Sequence, residues 1–83
     1  MEGNDIMNFS QALEQMKQGE KVRRERWGYH GSNIYIAIHV PSIDDTLMTE
    51  PYIYMYKEFD GREVVFPTPL SCESILADDW ELV

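Results

Sequence analysis

A chain of 83 residues with a net charge of −8 is long enough for one domain and no more. Its single cysteine excludes an internal disulfide, and its acidic balance argues against DNA or RNA as a partner, because phosphate backbones would be repelled. With 43% hydrophobic residues the chain has enough apolar material for a small core, which self-association would help to complete.

The sequence carries no visible targeting or membrane-spanning signal. No apolar run is long enough for a transmembrane helix, and residues 1–15 lack the basic-then-apolar pattern of a signal peptide. The two histidines, His30 and His39, do not form a metal-ligand spacing. We therefore expect a cytoplasmic protein that holds Cys72 reduced and binds no metal or cofactor.

The first predicted element is an amphipathic helix that follows a flexible leader over residues 1–7. Asn8 is a good N-cap, and Gln11 follows three residues later, as in a capping box. Gly19 supplies the stop at the other end. Apolar residues recur on one face of this segment at helical spacing, at Phe9, Ala12, Leu13 and Met16. The pattern predicts about three helical turns with one core-facing stripe.

Five strands and a short second helix make up the rest of the predicted domain. Alternating apolar, β-branched and aromatic residues predict strands over 21–27, 34–40, 52–59, 63–66 and 80–83. Asp60 and Gly61 form a hairpin turn signal, and Ser71 is the N-cap of a helix that runs to residue 77. Short connections indicate antiparallel pairing. The expected fold class is α+β: an N-terminal helix packed on an antiparallel sheet of four to five strands, with a short C-terminal helix, in a single domain over 8–83.

The basic residues are concentrated in one short stretch. Five of the seven lie within ten positions, at Lys17, Lys21, Arg23, Arg24 and Arg26. Strand alternation puts Arg24 and Arg26 on one face with Val22, so at least one of these arginines must reach an edge, a cleft or a partner subunit. This basic island suits one small anion. Taken without other evidence, the pattern favours a solvated strand face whose cations pair with nearby glutamates.

No catalytic arrangement stands out in the sequence. Cys72 has no histidine that a motif places beside it, and the adjacent acids at 44–45 and 78–79 are typical of solvated carboxylates. We therefore expect a protein without enzymatic activity. The aromatic residues offer stacking faces and the arginines offer forked donors, a combination that suits a nucleotide pocket. Five tyrosines in an antiparallel sheet are also ordinary packing residues.

The chain ends in an apolar stretch with two acids and a tryptophan, where many small proteins have a polar tail. This composition predicts that the terminus is tied down, with Trp80 and Leu82 in the core. Residues 8–27, together with Gly61, Ser71 and residues 76–83, resemble the second type of Thoeris anti-defence protein. These are small phage proteins long catalogued as a domain of unknown function.

The resemblance implies a sponge for a signalling nucleotide. Members of this family bind the cyclic or modified ADP-ribose signal of a bacterial defence enzyme without cleaving it, which keeps the effector inactive. They assemble as homotetramers built from dimers, with ligand pockets at subunit interfaces, and some relatives also bind cyclic dinucleotides. The resemblance thus implies a homodimer or homotetramer in the cytoplasm of an infected bacterial cell, with no DNA, RNA or membrane partner.

The resemblance also selects candidate ligand-binding residues. Arg24 and Trp27 match the family's Arg-x-x-Trp motif, Asp79 and Trp80 match its tail, and Phe66 stands where the family usually has tryptophan. In the candidate site, arginines would hold the phosphates and aromatic side chains would stack on the adenine. Residues just before the tail would form the rim. The candidate residues are Arg24, Arg26, Trp27, Tyr29, Phe66, Ser71, Cys72 and Ser74. The alternatives are a module that presents its acidic surface to a basic protein, a sponge for cyclic dinucleotides, and a hydrolase of the same nucleotides.

Overall fold

The computed structural model describes residues 6–27, 33–43 and 48–83. In chain order the elements are α1 (Phe9–Lys17), β1 (Val22–Arg24), β2 (Asn33–His39), β3 (Tyr52–Phe59), β4 (Arg62–Pro67), α2 (Cys72–Leu76) and β5 (Trp80–Leu82). The predicted order of helices and strands is confirmed. Neither helix among these residues is long and apolar enough to cross a membrane. The predicted site residue Tyr29 and the acidic pair at 44–45 lie outside the described residues.

All five strands belong to one antiparallel sheet, in the order β4-β3-β2-β1-β5. Val22 on β1 lies opposite Ile36 on β2, and Ile36 lies opposite Met55 on β3. Because directly paired residues point to the same side of a sheet, these residues define one face, which we call the helix face. The α+β architecture, with both helices on this face in the described part of the chain, confirms the predicted fold class.

Local sequence signals determine where α1 and the hairpin turn occur. The Asn8 side chain accepts a hydrogen bond from the backbone N–H of Gln11 at 2.9 Å, and the Gln11 side chain accepts one from Asn8 at 3.0 Å. This capping box provides acceptors for two backbone N–H groups at the start of the helix that have no partner within the helix. Asp60 and Gly61 both have positive φ, 54° and 75°, as a two-residue turn between antiparallel strands requires.

The buried core lies between α1 and the middle of the sheet. It consists of Ala12, Met16, Val22, Ile36 and Trp80. Trp80 is fully buried, and its indole N–H donates to the Ser74 carbonyl at 3.0 Å. The rings of Phe9 and Trp27 lie 5.5 and 5.3 Å from it. The tail is therefore tied down by the tryptophan, as its composition predicts.

The rest of the tail differs from the prediction. Leu82 is 40% exposed and Val83 is 55% exposed, because β5 is short and lies at the sheet edge, where the helices do not cover its end. Trp80 has a further partner at the start of the chain. The backbone N–H of Met7 donates to the Trp80 carbonyl at 2.7 Å, and the Trp80 N–H donates to Met7 at 3.0 Å. The sheet is thus extended by Met7, which the sequence placed in the leader.

Strand β1 is shorter than the predicted segment 21–27. It ends at Arg24, and residues 25–27 form a 3₁₀ turn instead. The backbone N–H of Glu25 donates to the carbonyl of Asp79 at 2.8 Å, so the main chain turns toward the C-terminal tail. Arg26 consequently leaves the strand alternation that put it on one face with Arg24.

Trp80 should be the residue whose loss costs the most stability. We expect Trp80→Ala to lower the free energy of unfolding by about 3–5 kcal/mol, because it removes a large buried side chain and leaves a cavity. The matched control is Leu76→Ala, at a residue that is 83% exposed, which should change it by less than about 0.5 kcal/mol. Urea denaturation followed by circular dichroism measures both values. Equal losses in the two variants would contradict a core centred on Trp80.

Candidate functional site

Arg24 is a buried side chain held by a carboxylate of the tail. It is 8% exposed, and its Nε lies 2.8 Å from Oδ1 of Asp79, with Nη2 3.5 Å from Oδ2. The strand register places Arg24 directly opposite Trp80. A buried guanidinium needs a counter-charge, and Asp79 supplies it. Arg24 therefore joins β1 to the C-terminal tail.

Arg26 is placed differently from Arg24. Its side chain is more than half exposed, and its Nη1 lies 3.4 Å from Oε2 of Glu73 on α2. Glu73 is even more exposed, so solvent screens this ion pair and it adds little to stability. Arg26 thus keeps most of its donors accessible on the surface beside α2.

Three more of the predicted residues belong to α2 or its N-cap, and a fourth, Trp27, packs against the tryptophan that bonds α2. Ser71 caps α2, its side chain accepting a hydrogen bond from the Ser74 N–H at 3.2 Å. Ser74 is a buried residue within the helix, and Cys72 is exposed at its start. Trp27 is half-buried and packs its ring against Trp80. We call Arg26, Trp27, Ser71, Cys72 and Ser74 the α2 cluster.

Phe66 does not join the α2 cluster. It lies on β4, three strands from β1, which is a separation of about 14 Å at the usual inter-strand spacing. Phe66 pairs with Met55, so its ring points to the helix face, and there the Nζ of Lys57 lies 5.7 Å from its centroid.

A second group of side chains occupies the other side of the sheet, which we call the open face. In the described part of the chain, this face carries no helix. Register aligns tyrosines from two strands there, with Tyr35 opposite Tyr56 and Ala37 opposite Tyr54. A cavity of about 390 Å³ lies over them, and we call it the tyrosine pocket. It is lined by Tyr35, His39, Tyr52, Tyr54, Tyr56, Val65, Phe66 and Pro67. The predicted site residue Phe66 therefore borders this pocket, although the strand register directs its ring to the helix face.

The rings of the tyrosine pocket contact one another closely. Tyr35 stacks on Tyr56 with centroids 4.8 Å apart and planes 17° apart, and it meets Tyr54 edge-on at 6.4 Å. The Nζ of Lys21 lies over the Tyr35 ring, 5.0 Å from its centroid. The Tyr56 hydroxyl donates to Oε2 of Glu63 at 2.7 Å. These contacts hold three phenol rings in place beside one exposed cation.

The tyrosine pocket was not predicted from the sequence, although the sequence contains an alternating set of tyrosines that indicates it. Tyr52, Tyr54 and Tyr56 alternate on one face of a strand, and Tyr35 lies on another strand. The sequence did not show that the register would align both sets on a face without a helix. Among residues 6–27, 33–43 and 48–83 no group of three or more metal-ligating side chains converges.

The helices on one face, the docked C-terminal strand and the cavity on the other face define a small two-layer α+β domain. The chain belongs to the Tad2-like family, because the family model described as Thoeris anti-defense 2-like domain matches residues 7–83. No curated protein matches the chain. The family match extends from the bridge at Met7 to the last residue, and so includes both helices and all five strands. It confirms the resemblance and assigns the chain a role in Thoeris anti-defence.

The Arg24–Asp79 pair should be structural. We expect Asp79→Ala to lower the free energy of unfolding by about 3 kcal/mol, because it leaves a buried guanidinium without its counter-charge. Glu73→Ala is the matched control: it removes the exposed partner of Arg26 and should cost less than about 1 kcal/mol. Urea denaturation measures both variants. If Glu73→Ala lowered the free energy of unfolding as much as Asp79→Ala does, the buried Arg24–Asp79 pair would not stabilise the fold more than an exposed pair.

Tyr56 should make stability depend on alkaline pH. The hydrogen bond to Glu63 raises the pKa of Tyr56 from 10.0 to about 12. The folded state therefore holds this proton more tightly than the unfolded state does, and the resulting stability is present below pH 10 and lost as pH rises toward about 12.

Absorbance titration of tyrosinate and urea denaturation across this range should both report the Tyr56 proton. Tyr56→Phe should remove one titration step near pH 12 and flatten the alkaline loss of stability. Glu63→Gln should move the same step toward the ordinary pKa of tyrosine, because the hydroxyl loses its charged acceptor. An unchanged titration in Glu63→Gln would contradict the assigned cause.

Proposed function

We propose that this protein is a sponge that binds a cyclic or modified ADP-ribose signal and sequesters it uncleaved, so that the defence effector is not activated. The observation that carries the proposal is the family match over residues 7–83. The resemblance of the two ends of the chain to nucleotide-binding anti-defence proteins supplies the ligand class.

The α2 cluster is the proposed site for this signal. Arg26 is the arginine that contacts phosphate, since Arg24 is buried and already paired with Asp79. Trp27 provides an aromatic surface beside it, and Ser71 and Cys72 form the exposed rim. The hydrogen bond from Trp80 to Ser74 fixes α2 against the sheet. A site that is rigid before binding loses little affinity to ordering, as sequestration requires.

Binding without cleavage is consistent with the groups that surround this site. Cleavage of a phosphate or glycosidic bond normally needs a positioned general acid and base. Glu73 is the carboxylate that the described residues place against Arg26, and it is exposed and already in contact with that guanidinium. Electrostatic attraction of the phosphates by Arg26 contributes binding energy without activating a nucleophile.

Self-association completes the proposed sponge. The buried hydrophobic residues of the described chain are few, and large apolar side chains remain exposed, among them Phe59 and Ile75. Such a small core gives a single domain a narrow margin of stability. A homodimer or homotetramer buries more apolar surface, and it allows a pocket to draw residues from two subunits.

The fate of a bound nucleotide tests the proposal directly. Purified protein is incubated with cyclic ADP-ribose, separated from free nucleotide, heated to denature it, and the supernatant is analysed by mass spectrometry. A sponge releases the nucleotide intact and in stoichiometric amount. A converted product would indicate an enzyme. If a panel of ADP-ribose derivatives and cyclic dinucleotides produced no thermal shift and no retained ligand, the proposal would be wrong and an interaction module would be favoured.

Arg26→Ala tests the proposed site. We expect it to weaken binding by about 2 kcal/mol, because it removes a charge-assisted contact to phosphate. Arg62→Ala is the matched control: it removes the same charge from an exposed residue of β4, at the far edge of the sheet. Titration calorimetry of the two variants separates local contact from net charge. Equal weakening would show that the α2 cluster does not hold the phosphate.

A further inference from the structure

We infer that the tyrosine pocket is a second ligand site, which takes a planar heteroaromatic ring and directs its anionic substituent toward Lys21. The pocket and the α2 cluster lie on opposite faces of the sheet, so one small molecule cannot occupy both. The inference does not depend on the sponge proposal, because it rests on different residues.

The shape and lining of the pocket select a flat ring. Its volume of about 390 Å³ falls in the range of small-molecule sites, and its lining is dominated by four tyrosines. Phenol rings bind flat aromatic groups by stacking, and such stacking is tolerant of which base is bound. The mutual contacts of Tyr35 with Tyr54 and Tyr56 hold the rings in place before a ligand arrives, which lowers the entropic cost of binding.

The cations of β1 lie at one side of the pocket. The register that pairs Val22 with Ile36 makes Arg23 the cross-strand neighbour of Tyr35 on the open face. Lys21 is exposed, and its Nζ already lies 5.0 Å from the Tyr35 centroid. The Nε of Arg23 donates to Glu81 at 2.8 Å, so Lys21 is the less neutralised of the two cations. An anionic group attached to a stacked ring reaches Lys21 without leaving the open face.

The open face is acidic just beyond Tyr56, outside the lining of the pocket, and this gives the ligand a direction. Glu58 and Glu63 lie directly across from each other on the open face, and Glu63 accepts the Tyr56 hydroxyl at 2.7 Å. Two neighbouring carboxylates repel a phosphate and favour hydrogen-bond donors such as a ring amino group. The ring therefore points its donor edge toward β4, and its anionic group points toward β1.

Adenosine monophosphate is the simplest probe that has all of these parts. We expect titration calorimetry to show binding of this nucleotide, weaker binding of adenosine, and no binding of ribose 5-phosphate, which has no ring to stack. Tyr54→Ala should weaken adenosine monophosphate binding about tenfold or more through lost stacking. Lys21→Gln should weaken it about tenfold but leave adenosine binding unchanged, since only the phosphate contact is lost.

Lys57→Gln is the matched control, because Lys57 also lies over an aromatic ring but on the helix face of the same sheet. It should leave adenosine monophosphate binding unchanged. The inference is overturned if the nucleotide does not bind, if Tyr54→Ala binds it like the unmodified protein, or if Lys57→Gln weakens it as much as Lys21→Gln does. None of these results alters the expected behaviour of Arg26→Ala, so the pocket and the sponge proposal fail separately.

Discussion

The burial of Trp80 is the interaction on which the rest of the structure depends. Its backbone pairs with Arg24 on one side and with Met7 on the other, and its indole N–H bonds the Ser74 carbonyl of α2. One residue thus connects the start of the chain, the first strand, the second helix and the tail. Few other side chains among the described residues are fully buried. The contacts of Trp80 therefore determine where α2 lies against the sheet.

The two ion pairs beside Trp80 determine which arginines remain available for a ligand. Arg24 bonds Asp79 on the helix face, and Arg23 bonds Glu81 on the open face, because successive residues of a strand point to opposite sides. The clustered basic residues of the sequence therefore have different partners in the fold. Two arginines hold the tail, while Lys21 and Arg26 remain accessible on opposite faces of the sheet.

Local signals made the elements predictable, whereas the sites depend on register. The capping box at Asn8 and the turn at Asp60–Gly61 act within a few residues, so the sequence alone identified them. The early end of β1 was not predictable, because it depends on a hydrogen bond between Glu25 and Asp79, residues far apart in the chain. The tyrosine pocket was missed for the same reason: each tyrosine is an ordinary strand residue until pairing aligns Tyr35 with Tyr56.

The acidic surface of this protein and its accessible cations act over different distances. At physiological salt the field of a net charge of −8 is screened beyond about 8 Å, so it mainly opposes the approach of long polyanions. In the two proposed sites, a small nucleotide would meet that repulsion only over its own short length and would contact Lys21 or Arg26 directly through a charge-assisted hydrogen bond. An acidic protein with a few accessible cations beside aromatic side chains therefore discriminates by size. Under both proposals it would accept a compact phosphorylated ring and exclude nucleic acid that carries the same chemical groups.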